Sequence, residues 1–107
     1  EALKAHDALA QQGIAIRVVD LFSIRPVDKK TLVACARATG GRVVTVEDHY
    51  AVGGVGDAVL GALAEEGNIK LKKLAVREIA RSGQPDELLE KYGISAKHII
   101  KAVKALL

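Results

Sequence analysis

Residues 42–59 of this chain read RVVTVEDHYAVGGVGDAV, and this stretch decides the fold. A β-branched run at residues 42–46 leads into an acid-acid-histidine triplet at 47–49, and a glycine cluster then opens a helical pattern near residue 55. In α/β proteins, a strand followed by such a turn and a helix delivers ligand contacts at the carboxyl end of the strand. The triplet and the glycines are therefore the first candidates for a functional site.

On both sides of this stretch, the hydrophobic pattern and the turn residues predict alternating helices and strands. Before the central stretch, the predicted elements are a first helix ended by Gly13, a strand from Ile14 to Leu21, and a helix that is capped by Asp28 and runs to about Ala38, before Gly40-Gly41. The central stretch contributes the strand Arg42–Val46 and a helix from Val55 to Glu66, which is ended by Gly67-Asn68. A strand from Leu71 to Ile79, a short helix Pro85–Lys91 stopped by Gly93, and a final helix capped by Ser95 follow.

This order predicts an α/β fold with a mostly parallel sheet and helices on both faces, because parallel strands need crossover helices between them. A sheet of three strands that is entered by a helix looks incomplete. We therefore expect the first strand of the sheet to precede Glu1 in a longer parent chain. The lack of methionine favours the same interpretation, that residues 1–107 are one domain of a longer polypeptide.

Composition indicates a single globular domain, since 50% of the 107 residues are hydrophobic and 27% are charged. The net charge of +3 is mild, and the densest basic group, Lys70, Lys72 and Lys73, has no aromatic residues interleaved, which disfavours nucleic-acid binding. No apolar run approaches the roughly 18 residues of a membrane span. The single cysteine, Cys35, is predicted to be a buried, inert thiol in a reducing, cytoplasmic setting.

The glycine cluster, residues 53–56, resembles a phosphate-binding turn but fails two spacing tests. In a dinucleotide fingerprint that begins at Gly54, the third glycine would fall on Val59. In a P-loop that begins at Gly56, Ala62 stands where lysine is required. A tight turn that lets helix and sheet approach closely is the favoured interpretation, and Asp57 at the start of the helix would repel a phosphate. A self-contained anion- or nucleotide-binding module that uses Gly53–Gly56 and Arg81 is the alternative.

Glu47, Asp48 and His49 are consecutive, so their side chains alternate in direction along an extended chain and do not converge without a bend. The other histidines, His6 and His98, are predicted on distant helices, and no metal site is predicted. General acid–base chemistry by His49 stays open as an alternative. These groups are expected instead to bond the loop backbone or to contact a neighbouring subunit.

Two further segments contain candidate site residues. Ser82-Gly83 lacks the G-x-S-x-G surroundings of a nucleophile and is predicted to be a turn before a helix. Arg25-Pro26 and Arg81 are able to bind an anion, although such arginines more often pair with carboxylates or a partner chain. The sequence therefore contains no complete catalytic set, and no catalytic, cofactor-binding or metal-binding residue is predicted.

Four segments together resemble the C-terminal domain of transketolase, closest to the animal-type enzymes and transketolase-like proteins. They are EALKAHDAL, IRVVDLFSIRPVD, ATGGRVVTVEDHYAVGGVGDAV and LAVREIARSGQPDELLEKYGIS, in this order and over essentially the whole chain. The VEDHYxxGGxGxAV and RSGxPxELLxxxGI segments are the most specific. The resemblance implies a five-stranded, mostly parallel domain with one antiparallel strand.

The resemblance also implies a function for the parent protein. Transketolases transfer a two-carbon ketol unit from a ketose phosphate to an aldose phosphate, with thiamine diphosphate and a divalent metal (Mg or Ca) held by other domains. The expected partners of this domain are therefore the other transketolase domains and a second subunit of a homodimer. The residues expected at an interdomain or dimer contact are Glu47, Asp48, His49, Tyr50, Gly53, Gly54 and Gly56.

Overall fold

A computed structural model describes residues 1–78 and 82–107. Within these ranges the chain forms five helices around two strands. Their order is α1 (Ala2–Gln11), α2 (Lys29–Ala38), β1 (Arg42–Tyr50), α3 (Val55–Leu63), β2 (Lys70–Val76), α4 (Pro85–Lys91) and α5 (Ala96–Leu106). None of these helices is long and apolar enough to cross a membrane.

The two strands form a parallel sheet, as the alternation of elements predicts. Arg42 pairs with Lys70, and the register runs without interruption to the pair Val46–Leu74. An irregularity follows, and the next pair is Tyr50 with Val76. Strand β1 is longer than predicted because the segment after Val46 stays extended through the acid-acid-histidine triplet.

Helices cover both faces of the sheet. Helix α3 packs against both strands and against α2, whereas α5 packs against both strands and against α1. Successive side chains of β1 alternate between these faces: Val43 joins the core under α2 and α3, and Val44 lines a groove with Ile99 of α5. The centre of the α2–α3 core is aliphatic, consisting of Leu32, Ala36, Val59, Ala62 and Leu63.

The predicted strand from Ile14 to Leu21 is wrong. This segment has no regular secondary structure, and β1 pairs only with β2 among the described residues. A groove of about 690 Å³ and a smaller one of about 280 Å³ lie between the segment and β1. A β-branched, apolar sequence favours an extended backbone, but a strand forms only where a neighbour takes its N–H and C=O groups. Here the grooves separate the segment from the nearest strand.

The remaining boundaries differ from the predictions at a few ends. Helix α3 ends at Leu63 instead of Glu66, and β2 ends at Val76; Ile79, the predicted end of that strand, lies outside the described residues. Ser95 precedes α5 as predicted, but its side chain makes no capping hydrogen bond. Cys35 is half-buried rather than buried, and an Arg17 guanidinium nitrogen lies 3.9 Å from its sulfur.

Asp28 caps α2 as predicted. Its carboxylate accepts hydrogen bonds from the Thr31 backbone N–H at 3.1 Å and from the Thr31 hydroxyl at 2.7 Å. These bonds hold the pKa of Asp28 below its ordinary value. Helix α2 carries Leu32 and Ala36 of the core, so its first turn fixes one wall of that core.

We predict that Asp28→Ala lowers the free energy of unfolding by about 1 kcal/mol, because an N-terminal backbone N–H of α2 loses its acceptor. Asp28→Asn is the matched control, since asparagine caps helices about as well as aspartate. Urea unfolding of both variants measures the difference. Equal stability of the alanine and asparagine variants would contradict the capping role.

Candidate functional site at the β1–α3 corner

The candidate site lies where β1 ends and α3 begins, over residues 47–57, which we call the β1–α3 corner. It is at the carboxyl edge of a parallel sheet, the position at which α/β proteins most often bind ligands. The predicted contact residues all fall within it. The structure divides them into a buried group that builds the corner and an exposed group that faces outward.

Glu47 is the buried anion of the corner, with only 7% of its surface exposed. One carboxylate oxygen accepts the Val55 N–H at 2.9 Å, and the other accepts the Gly56 N–H at 2.6 Å. These are N–H groups of the first turn of α3, which have no partner inside the helix. The carboxylate of Glu47 therefore occupies the position in which a phosphate would bind, and it also neutralises the positive end of the helix dipole.

Gly54 and Gly56 are required by the space that Glu47 occupies. A Cβ atom at Gly56 would lie 2.6 Å from the Lys73 Cε atom and 3.1 Å from a Glu47 carboxylate oxygen. A Cβ atom at Gly54 would overlap the Glu47 carboxylate and would come within 2.9 Å of the His49 ring. The interpretation of this turn as a close approach between helix and sheet is confirmed.

Asp57 is a second carboxylate of the corner, and it connects α3 to β2. It accepts the Gly53 N–H at 2.6 Å, and it forms an ion pair with Lys73 of β2. The Lys73 ammonium also donates to the Ala51 carbonyl at 2.7 Å. The hydrogen bond from Lys73, and then that from Gly53, lower the pKa of Asp57. One lysine thus ties β2 to the turn that follows β1.

The triplet at residues 47–49 does not form an acid–base cluster. Asp48 is exposed, and Glu47 and His49 project to the same side as the alternation predicts. The His49 Nδ1 atom lies 2.9 Å from the Tyr50 carbonyl and 3.7 Å from a Glu47 oxygen. Because the Glu47 oxygens already accept backbone N–H groups, the histidine is not paired with a free base.

Nothing else in the described ranges assembles a reactive set. No group of three or more His, Cys, Asp or Glu side chains there is arranged to hold a metal ion. The Ser95 hydroxyl donates to Glu90 at 2.7 Å and lies 2.9 Å from His98 Nδ1, so serine, not histidine, is the central member of that group. A nucleophilic triad requires the histidine between serine and acid. The hydrogen bond from Ser95 lowers the pKa of Glu90.

The remaining predicted anion ligands are not assembled either. Arg25 is exposed, precedes a cis-proline, and forms no ion pair with any residue in the described ranges. Arg81 lies outside the described residues. Ser82 and Gly83 precede α4, and a Cβ atom at Gly83 would lie 3.3 Å from the Leu88 side chain.

Sequence reasoning missed two features of the corner. The first is the partner of Glu47: the triplet is expected to bond the loop backbone, whereas this carboxylate, eight residues before Val55, accepts the first N–H groups of α3. The second is the ion pair of Asp57 with Lys73, residues 16 positions apart in sequence. That contact depends on the register of β1 and β2, for which the sequence alone gives no signal.

Comparison with known proteins identifies the family to which this chain belongs. The family model "Transketolase, C-terminal domain" matches residues 1–99. Among curated proteins, mouse transketolase-like protein 2 is 57% identical over 104 residues, covering 97% of this chain and 17% of the relative. Bovine transketolase-like protein 1 is 52% identical over 107 residues, covering all of this chain and 18% of the relative. Rat transketolase is 48% identical over 106 residues, covering 99% of this chain and 17% of the enzyme.

The fold is also matched by a solved structure entitled "Split gene transketolase, inactive beta4 tetramer". It superimposes with a TM-score of 0.90 at 44% identity, and the match covers 99% of this chain and 35% of that one. The chain thus spans less than a fifth of the curated relatives described above and about a third of the solved neighbour.

We predict that Gly56→Ala lowers the free energy of unfolding by about 1–3 kcal/mol, because the added methyl group displaces Lys73 and Glu47. Gly61→Ala, in the same helix, is the matched control. A Cβ atom at Gly61 meets nothing within 4 Å, so this variant gains about 0.5–1 kcal/mol from helix propensity. Urea unfolding of the two variants provides the comparison. A Gly56→Ala protein as stable as Gly61→Ala would show that the close approach is not required.

We also predict that the Asp57–Lys73 ion pair makes stability sensitive to acid. The folded-state pKa of Asp57 is lowered from its ordinary 3.8, so the pair stabilises the fold above about pH 3.8, and that stabilisation is lost as pH falls through the lower folded-state pKa. Asp57→Asn should be less stable than the parent at pH 7, and the difference should narrow below pH 4.

Chemical unfolding between pH 7 and pH 2.5 measures this effect. Asp48→Asn, which changes an exposed side chain of the same corner, is the control and should match the parent at pH 7. A constant difference between Asp57→Asn and the parent over this range would contradict the role of the ion pair.

Proposed function

Because the chain belongs to the family of transketolase C-terminal domains, we propose that it is the structural and oligomerisation domain of a transketolase and has no activity of its own. The observation that carries this proposal is the β1–α3 corner. At the edge where an α/β domain would bind a ligand, the backbone N–H groups are bonded to the domain's own carboxylates. These hydrogen bonds stabilise the backbone of the corner and occupy the N–H groups that a small-molecule ligand would need.

The outer surface of the corner is suited to protein contact. Tyr50 and Val52 expose 51% and 81% of their surface, and the His49 ring meets the Tyr50 ring edge-on with 6.1 Å between centroids. Aromatic and apolar side chains in a polar surround are typical of interfaces. We infer that Asp48, His49, Tyr50 and Gly53 contact another domain or subunit.

The buried members of the predicted contact set have a different role in this proposal. Glu47, Gly54 and Gly56 are buried, so they act through the backbone that they fix rather than by touching a partner. They set the direction in which the exposed residues of the turn project.

For the whole protein we propose the transketolase reaction, transfer of a two-carbon ketol unit from a ketose phosphate to an aldose phosphate in the pentose phosphate pathway. Thiamine diphosphate and Mg or Ca would be held by other domains. The residues described here do not fit that cofactor, because the N–H groups that would bind a diphosphate at the corner already bind Glu47 and Asp57.

We propose a homodimeric, cytoplasmic enzyme with neither nucleic acid nor membrane as a partner. The solved neighbour, by its title, is an inactive tetramer.

We further propose that the sheet of the whole protein has an additional strand between Ile14–Leu21 and β1. The two grooves there border opposite faces of the sheet, with Val103 of α5 lining one and Val59 of α3 lining the other. The Thr45 hydroxyl is buried in the smaller groove and has no hydrogen-bond partner among the described residues. A strand inserted at this position would extend the parallel ladder from the open edge of β1.

The alternative function, an anion- or nucleotide-binding module that uses Gly53–Gly56, is disfavoured by the same corner. A phosphate bound to the Val55 and Gly56 N–H groups would have to displace the buried Glu47 carboxylate. It would also meet Asp57 at the same helix end. Both carboxylates would repel it.

We predict that Val52→Glu in the full-length protein weakens assembly at least about tenfold, because a charge replaces an exposed apolar contact residue. Leu3→Glu is the matched control, since Leu3 is 69% exposed but lies on α1, outside the corner. Analytical ultracentrifugation over a dilution series measures the assembly constant. Equal assembly of both variants would contradict an interface at the corner.

The same proposal predicts no binding of thiamine diphosphate and Mg²⁺ to the 107-residue chain in calorimetry. Binding at micromolar affinity would overturn the assignment as a non-catalytic domain.

A further inference from the structure

A second concave surface lies beside the last residues of β2, and Lys73 connects it to the β1–α3 corner. It is a pocket of about 360 Å³ between residues 72–78 and residues 91–93, at the end of α4. This volume is at the lower end of the range for small-molecule sites. The pocket adjoins the carboxyl end of a parallel strand, where α/β folds most often bind ligands.

The pocket is strongly basic. Among the described residues, four cationic residues line it, Lys72, Lys73, Arg77 and Lys91, against one acidic residue, Glu78. Lys73 is neutralised by Asp57, which belongs to the corner. Within residues 1–78 and 82–107, the other three cations form no ion pair. Like charges that share a concave surface concentrate positive potential there and attract anions.

Two of these cations are held in place by their neighbours. An Arg77 guanidinium nitrogen donates to the Lys73 carbonyl at 3.1 Å, and this guanidinium makes no other hydrogen bond within residues 1–78 and 82–107. The Lys91 ammonium lies 5.7 Å from the centre of the Tyr92 ring. A guanidinium fixed by one hydrogen bond presents its remaining donors in the planar arrangement that matches phosphate oxygens. The pocket is therefore partly organised for an anion before one arrives.

We propose that this pocket binds a small molecule carrying one or two phosphate groups, with Arg77 as the principal ligand and Lys72 and Lys91 as supporting charges. These three proposed ligands lie outside residues 47–57 of the β1–α3 corner. The site requires neither the transketolase reaction nor an interface at the corner, so it stands independently of the proposed function. A phosphate ester suits the size of the pocket, and two phosphate groups would match the three cations that form no ion pair in the described part of the chain.

The test is a titration of the full-length protein, segmentally ¹⁵N-labelled over residues 1–107, with inorganic pyrophosphate at constant ionic strength, followed by amide chemical shifts. Saturable shifts are expected at residues 75–78 and at Tyr92 and Gly93.

Arg77→Ala should weaken binding about tenfold through loss of a charge-assisted hydrogen bond. Lys91→Ala and Lys72→Ala should each weaken it less, and Arg77→Lys should retain part of the affinity. Lys101→Ala, an exposed lysine of α5, is the control and should bind as the parent does.

Three results would overturn the proposal. The first is the absence of saturable shifts up to about 10 mM pyrophosphate, which corresponds to an affinity too weak for a built site. The second is equal binding by Arg77→Ala and Lys101→Ala, which would indicate general charge attraction. The third is a set of amide shifts centred on Val55–Ala58, which would place the anion site at the corner and would also favour the alternative function.

Discussion

The placement of one carboxylate, that of Glu47, governs the rest of this structure. It leaves β1 near its end and binds the first N–H groups of α3, so strand and helix are joined by two charge-assisted hydrogen bonds. The absence of side chains at Gly54 and Gly56 lets the helix start approach this carboxylate. Helix α3 in turn carries Val59, Ala62 and Leu63 of the core, so the core is positioned by a buried charge.

A second carboxylate extends this arrangement to the other strand. Asp57 holds Lys73 on the α3 face of the sheet, and Lys73 also reaches the backbone of the turn. The N-terminus of α3 thus lies between two acids with different partners: Glu47 accepts two backbone N–H groups of the helix, and Asp57 accepts one backbone N–H and pairs with Lys73. As a consequence, the charge of Lys73 is compensated by the corner, and the basic pocket, which Lys73 also lines, depends on Lys72, Arg77 and Lys91 for its net positive charge.

Much of the fold could be predicted from the sequence because the responsible signals are local. Asp28 before α2, Pro85 in the first turn of α4, and the positive φ angles of Gly13 and Gly93 all act within one turn of chain. The prediction of a strand at Ile14–Leu21 is wrong because strand formation depends on a neighbouring strand, which no local pattern specifies. The corner shows the same division. Its glycines are local signals of a tight turn, whereas the Asp57–Lys73 contact requires the register of two strands.

The attachment of Glu47 to the same chain as its helix also has a thermodynamic consequence. A free phosphate that reaches this helix end competes with a tethered anion whose effective concentration, for a short connection, is of millimolar order or higher. The occupancy of the site by Glu47 is then fixed by chain geometry and does not follow the amounts of solutes around the protein. The Glu47 carboxylate therefore acts as an intramolecular ligand that saturates the N–H groups at the start of α3. The shape of the domain at the corner is therefore the same whether phosphate compounds are scarce or abundant.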